Sequence, residues 1–429
     1  MSAIARLVEA APRYAALLRS QYWQPAQLES YRERQLEKTL RAAAKIPFYA
    51  ERLGAGIESR DLQKLPILKR ADVKALSSSV LSLHPPGTRF VSERSSGTSG
   101  PAVELLFDSS HQRGRNAARI RFLRMNGWNP LRGTVWFVGS SLLVERNPDY
   151  QGIGELIRWF SSSLGVRFLP TQMPFREQVE TLAKLKPTSL YAFPSGIDGI
   201  LRILEETGQR LPSIQLVMCG GEAVDDSLRA RTRKMLGLEL RDNYGSTEAF
   251  LAFQCPVGSY HINAEHVVVE VVDDAGNPAA PGQMGRVLVT TLENYLMPLV
   301  RYEIGDYAIA AGGSRCSCGR TLPLLERVLG RQVNMFRRPD GSLTTGWQVV
   351  GILRKFPELK IFQVVQKSVD HFCVRYVADL PLSSEHETEI QEKFRAEMWA
   401  ELKVSLEPVS EIERAPSGKF LITISEVSR

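Results

Sequence analysis

The chain has 429 residues, 43% hydrophobic and 24% charged, enough apolar material for a large packed core in two domains, which excludes disorder as its main state. Its 54 Lys and Arg are interspersed with 47 Asp and Glu, so the formal charge of +7 forms no basic stripe or tail and no nucleic-acid partner is expected. No run approaches the roughly 18 apolar residues of a membrane span, Arg6, Glu9 and Arg13 interrupt any secretory pattern, and five cysteines make no disulfide framework, so a cytoplasmic protein is expected.

In chain order, apolar residues at helical spacing predict helices over 3–18 and 28–44, the second ended by Pro47. From Val91 onward, β-rich runs at 134–138, 189–193 and 214–218 alternate with helical stretches at 175–186 and 199–207, the pattern of a parallel α/β fold. After Gly258 the texture becomes Val-rich alternation at 266–272 and 286–291, separated by turn signals, and predicts a smaller antiparallel unit. A last segment has strands at 361–366 and 372–377 and a charged helix at 385–402. The domain boundary is placed at Gln332, giving an N-terminal domain 1–331 and an α+β C-terminal domain 332–429 joined by a short hinge.

Three strand-end loops carry the chemistry. Ser95-Ser96-Gly97-Thr98-Ser99-Gly100-Pro101 combines glycines, whose backbone N–H groups can turn toward a polyanion, with small hydroxyl donors. It lacks the spacing of a P-loop, and alone it reads equally well as a surface turn. Met218-Cys219-Gly220-Gly221-Glu222 and Asp242-Asn243-Tyr244-Gly245-Ser246-Thr247-Glu248 each end a predicted strand, where ligands sit in α/β sheets. Flat approach of a base over Gly220 and Gly221, stacking on Tyr244, and Mg²⁺ held by Thr247 and Glu248 are the corresponding expectations.

These motifs, with Ile46-Pro47-Phe48-Tyr49, Leu65-Pro66-Ile67-Leu68-Lys69 and Phe193-Pro194-Ser195, resemble the adenylate-forming superfamily, in its branch of phenylacetate-CoA ligases and capsular polysaccharide biosynthesis (CapK-like) proteins. Further on, Arg301-Tyr302-Glu303-Ile304-Gly305-Asp306 is similar to the ribose-binding signature, Gly330-Arg331-Gln332 to the hinge, and Pro416-Ser417-Gly418-Lys419-Phe420 to the catalytic-lysine motif. One departure is that Pro101 directly follows Gly100, which leaves the phosphate loop a residue shorter. The resemblance implies ATP, Mg²⁺ and coenzyme A as cofactors and Lys419, on a mobile C-terminal domain, as the catalytic cation. It implies Asp306 as ribose ligand, with Arg331 among the nucleotide-binding residues.

The implied reaction is activation of a carboxylic acid as an acyl-adenylate, then transfer to a thiol. The acceptor is coenzyme A or, alternatively, a carrier protein or an amine; a non-catalytic relative is the remaining alternative. Tyr191, Phe193, Pro194 and Ser195 are the candidate acid pocket, whose aromatic lining favours an aromatic acid. A homodimer is expected, as among relatives. Finally Cys255, His261, Cys316 and Cys318 make a tetrahedral zinc set by residue type, with no position left for water, so the ion would be structural. Their spacing is irregular, and the alternative is four separate structural residues.

Overall fold

The computed structural model describes residues 3–53, 59–85, 88, 90–94, 103–138, 165–313, 315–414 and 419–427. The Ser95–Pro101 loop and Pro416 to Gly418 lie outside the described residues. The N-terminal helices are α1 (Ala3–Ser20), α2 (Pro25–Ala43), α3 (Pro47–Leu53) and α4 (Asp72–Ser82). Pro47 does not end a helix; it opens α3, because a first-turn residue needs no N–H donor and the proline ring presets the helical φ. Helix α1 packs along α5 (Ser109–Met125), whose N-terminus is capped by Asp108 accepting from the His111 amide at 2.8 Å. Beneath them, buried Arg121 binds Glu265 through both guanidinium ends at 2.7 and 3.0 Å, and Asn263 at 2.6 Å.

Strands β1 (Val91–Arg94) and β2 (Glu104–Phe107) form a hairpin ahead of α5. The alternating region then runs β3 (Thr134–Val138), β4 (Val166–Pro170), α6 (Phe175–Leu185), β5 (Ser189–Ala192), α7 (Pro194–Thr207), β6 (Leu216–Gly220), α8 (Asp226–Leu236) and β7 (Leu240–Gly245). All pairings among these five strands are parallel, as the alternation predicts. Next come β8 (Phe250–Gln254), β9 (Tyr260–Ile262), β10 (Val267–Val272), β11 (Met284–Thr291), β12 (Tyr302–Ala310) and β13 (Leu324–Arg331), paired antiparallel.

The expected smaller antiparallel unit is present and is continuous with the parallel sheet. Among the described residues, eleven strands join in the order β10-β11-β12-β13-β9-β8-β7-β6-β5-β3-β4. Fully buried β8 pairs antiparallel with β7, and β13 returns to set Leu324 opposite His261, so the Val-rich strands extend the parallel sheet and cover its edge.

The C-terminal segment has its own apolar core, including Phe336, Val349, Leu353, Phe372, Ile390 and Phe394. It contains β14 (Met335–Arg337), β15 (Leu343–Thr345), α9 (Trp347–Leu353), β16 (Ile361–Ser368), β17 (His371–Val377), α10 (Ser384–Glu397), β18 (Lys403–Pro408) and β19 (Thr423–Ser425). Its four-stranded sheet runs β18-β17-β16-β19. Helix α10 stops at Glu397, short of the expected 402, because the chain must turn to bring Lys403 alongside β17. No described helix is long and apolar enough to cross a membrane.

Candidate active site

Because β5, β6 and β7 are adjacent and parallel, the three loops at their carboxyl ends lie side by side. They bring Pro194 and Ser195, Gly221 and Glu222, and Asn243 to Gly245 to one wall of a cavity of about 490 Å³. Asp306 of β12 and Arg331 of β13, which face each other in register, form the next wall. Lys419 and Phe420, from the C-terminal segment, close it. Ligand sites in open α/β sheets lie at the carboxyl ends of the strands, and here a second folding unit closes that crevice.

Asp306 is the hub. Tyr244 donates its hydroxyl to Oδ2 at 2.8 Å and Arg331 Nε lies 3.0 Å from Oδ1, which leaves lone pairs on both oxygens for further donors. Burial, and next the Asp306 charge, push the Tyr244 phenol far above its ordinary value, so it remains a donor. Lys419 extends over Gly221, whose φ of +85° and open α-carbon leave the space: a methyl there would meet Lys419 Cε at 3.4 Å and the Phe193 ring at 3.0 Å. Burial, then the Arg331 guanidinium, draw the Lys419 ammonium below its ordinary pKa, while Glu222, Asp306 and Glu248 act to hold its proton.

Other sequence-predicted side chains brace this wall. Asn243 Nδ2 donates to the Tyr191 hydroxyl and to the Cys219 carbonyl, both at 2.7 Å, bracing two adjacent strands. Gly220 permits that crossing, since a methyl there would lie 2.7 Å from the same hydroxyl. Tyr191 packs on Trp136 with ring centroids 4.4 Å apart, and Phe193 borders the cavity only through Gly221. The Asp242 carboxylate is turned to Tyr260, which donates to it, and to the Cys219 thiol at 3.6 Å, so its charge serves the sheet interior. Thr247 presents its carbonyl to Arg115 at 2.9 Å, and Glu248 is buried, its carboxylate accepting no hydrogen bond from a described residue. Arg301 of the expected ribose signature sits at φ +48° and binds the Gln63, Leu65 and Gly276 carbonyls; it clamps the N-terminal segment and does not reach the cavity.

The sequence reading missed Arg354, Asp198, Asp225 and Arg414. Arg354 of the α9 C-terminus binds Asp225 at 2.6 Å and Asp198 at 3.3 Å, and Arg414 binds the Ser195 hydroxyl at 3.0 Å. Each contact joins the two folding units, and no local motif marks a partner more than a hundred residues away.

Two family descriptions match the chain: AMP-binding enzyme over residues 151–296 and CapK C-terminal domain over residues 336–426. The phenylacetate-coenzyme A ligase of Thermus thermophilus is 26% identical over 353 residues, 77% of each chain. That of Escherichia coli is 24% identical over 339 residues, 72% of each. The chain belongs to the adenylate-forming family, in its phenylacetate-CoA ligase and CapK-like branch. The fold agrees: the structure of 2-hydroxyisobutyryl-CoA ligase in the postadenylation state superposes with a TM-score of 0.72 at 18% identity, covering 95% of this chain and 93% of that one.

A second constellation of this adenylate-forming chain lies at β9 and the loop before β13. The ligand atoms of Cys255, His261, Cys316 and Cys318 all fall within 4.8 Å of one another, with Cys255 Sγ 3.7 Å from Cys316 Sγ and Cys318 Sγ 3.3 Å from His261 Nε2. Burial brings the His261 imidazole down to about 4, so it is neutral and its ring nitrogen is free to ligate. Sulfurs about 3.7 Å apart match the edge of a tetrahedron with metal–sulfur bonds of roughly 2.3 Å.

Proposed function

We propose that the protein is an AMP-forming acid–thiol ligase that activates a carboxylic acid with ATP and passes the acyl group to coenzyme A. The observation that carries this reading is the convergence of Lys419 on the cavity that holds Asp306, Tyr244 and Arg331. In the adenylation half-reaction the substrate carboxylate attacks the α-phosphorus of ATP and pyrophosphate leaves. Lys419 would set its positive charge against the negative charge that develops there. Asp306 would accept from the ribose hydroxyls, and Tyr244 would stack on the base. In the second half-reaction a thiol attacks the acyl carbon and AMP departs.

Glu248 is proposed as the Mg²⁺ ligand, since a buried carboxylate with no hydrogen-bond donor among the described residues suits a hard cation, which would neutralise phosphate charge. Ser95 to Gly100 are proposed to cradle the phosphates. The acid is proposed to be aromatic and to lie toward Pro194 and Ser195, flanked by Phe193 and Tyr191. The domain boundary is proposed at Gln332, supported by the separate C-terminal core. We propose a structural zinc at Cys255, His261, Cys316 and Cys318, whose four ligands leave no coordination position for a substrate. A cytoplasmic homodimer completes the proposal.

The test is acid-dependent ATP–pyrophosphate exchange over a panel of aryl and alkyl carboxylic acids. Exchange with one acid class is expected, with Lys419→Ala slower by about 100-fold or more, the scale of one preorganised electrostatic contact. Adding coenzyme A or a carrier protein then identifies the acceptor. An absence of exchange with every acid, in a protein that binds AMP by calorimetry, would refute the ligase reading.

A further inference from the structure

The motif position of Glu222 marks it as a nucleotide ligand, yet its carboxylate is already engaged by protein donors. Oε2 accepts from the Ser195 amide at 2.9 Å. Oε1 accepts from the Ser195 hydroxyl at 3.1 Å and from the Phe420 amide at 2.6 Å. Two of these donors sit in the first turn of α7, which begins after Phe193 and so has no side-chain cap of its own. The third belongs to the C-terminal segment, one residue beyond Lys419.

Resting on the adenylation reading, we infer that Glu222 is a positioning residue for Lys419: it docks the Phe420 amide and thereby sets the lysine's backbone beside Gly221. A lysine stem has four rotatable bonds, so its ammonium is placed accurately only if the backbone carrying it is fixed. A carboxylate–amide bond supplies that fixing more strongly than a neutral one. The register agrees: with Phe420 N on Glu222, the Lys419 stem crosses the open α-carbon of Gly221. Arg414, on the Ser195 hydroxyl and over the Phe420 ring at 5.5 Å, holds the same junction.

The arrangement also suits release. When the C-terminal domain turns for the second half-reaction, Glu222 keeps both Ser195 donors, so undocking costs Glu222 one of its three hydrogen bonds and leaves its carboxylate partnered. Glu222 is therefore a dock that works in one half-reaction and rests as a helix cap in the other.

The experiment compares wild type, Glu222→Ala and Glu222→Gln as full chains in both half-reactions. Pyrophosphate exchange by Glu222→Ala is expected to lose kcat by about tenfold or more, with KM for ATP within about twofold. Thioester formation from supplied acyl-adenylate should stay within about twofold of wild type, and the Gln variant, which keeps an acceptor oxygen, should recover most of the loss. A raised KM for ATP at unchanged kcat would make Glu222 a nucleotide ligand and overturn the inference. Equal loss in both halves, with a lowered melting temperature, would leave it a helix cap only and also overturn it. Hydrogen exchange on the AMP-bound protein needs no acid: the Phe420 amide should exchange about tenfold faster in Glu222→Ala, and unchanged protection would refute docking. If wild type itself shows no exchange with any acid, the ligase reading fails while hydrogen exchange still decides the dock.

Discussion

Asp242 and Lys419 both border the cavity, and burial moves both toward neutrality by opposite routes. For Asp242 burial raises the carboxyl to about 6, against the lowering pull of Tyr260 and Arg229. A carboxyl group that binds its proton more tightly folded than unfolded contributes stability fully present below its unfolded value near 3.8 and lost as pH rises through about 6. The gap corresponds to roughly 3 kcal/mol. Asp242→Asn, which stays neutral, should therefore gain stability relative to wild type as pH rises from about 4 to about 6, read as the difference in urea midpoints at constant m. A difference that stays flat across that window would show that the Asp242 charge is fully compensated in the sheet interior. The residue identities at such a site were legible where a motif concentrates them: Lys419, Asp306 and Tyr244 meet as expected from their loops. Their directions were not. Whether a carboxylate faces a ligand or a neighbouring strand depends on which donors arrive from elsewhere, and Tyr260 for Asp242 and Phe420 for Glu222 come from separate elements.

At the scale of elements, the cluster of Cys255, His261, Cys316 and Cys318 joins β9 and the end of β8 to the loop before β13, the place where the antiparallel strands rejoin the sheet. Leu324 pairs with His261 and Leu325 with Tyr260, and the Ile262 amide donates to the Pro323 carbonyl at 2.8 Å, so a metal crosslink there would add to a short ladder. Purified protein is expected to carry about one zinc per chain by atomic absorption. Cys316→Ser should lose the metal and lower the melting temperature by about 1–3 °C, the effect of roughly 1–2 kcal/mol in a chain of this size. Full thermal stability in metal-free protein would contradict the site. The same junction explains what the sequence showed of the sheet and what it hid. Val-rich alternation in 266–272 and 286–291 identifies strands, and the alternation of β-rich runs with helical stretches from 134 to 218 identifies the parallel layers. Neither pattern encodes that β13 crosses back to β9, because a pairing of distant segments leaves no local period.

Across the whole molecule, the two folding units are held closed by contacts of unequal consequence. Arg354 reaches from α9 to Asp225 and Asp198, and Arg202 donates to the Leu359 carbonyl at 2.8 Å. Both acidic partners have other work: Asp225 caps α8 through the Leu228 amide at 2.9 Å, and Asp198 also pairs with Arg231, which binds Glu205 at 2.7 Å. Removing Arg354 therefore leaves no carboxylate stranded inside the N-terminal domain. The usual cost of breaking a buried interfacial charge pair, about 2–5 kcal/mol, includes such stranding, so the low end applies, and about 2 kcal/mol is roughly a thirtyfold loss of the closed arrangement. That arrangement is the one that places Lys419 at the cavity. Arg354→Ala should thus slow pyrophosphate exchange by about thirtyfold at unchanged melting temperature, with thioester formation from supplied acyl-adenylate preserved, and Arg354→Lys should fall between because an ammonium cannot span both acids as a fork does. Equal loss in the two half-reactions would mean that Arg354 supports the C-terminal fold itself. A loss in neither would place the closing energy in the junction of Glu222, Ser195 and Phe420 alone.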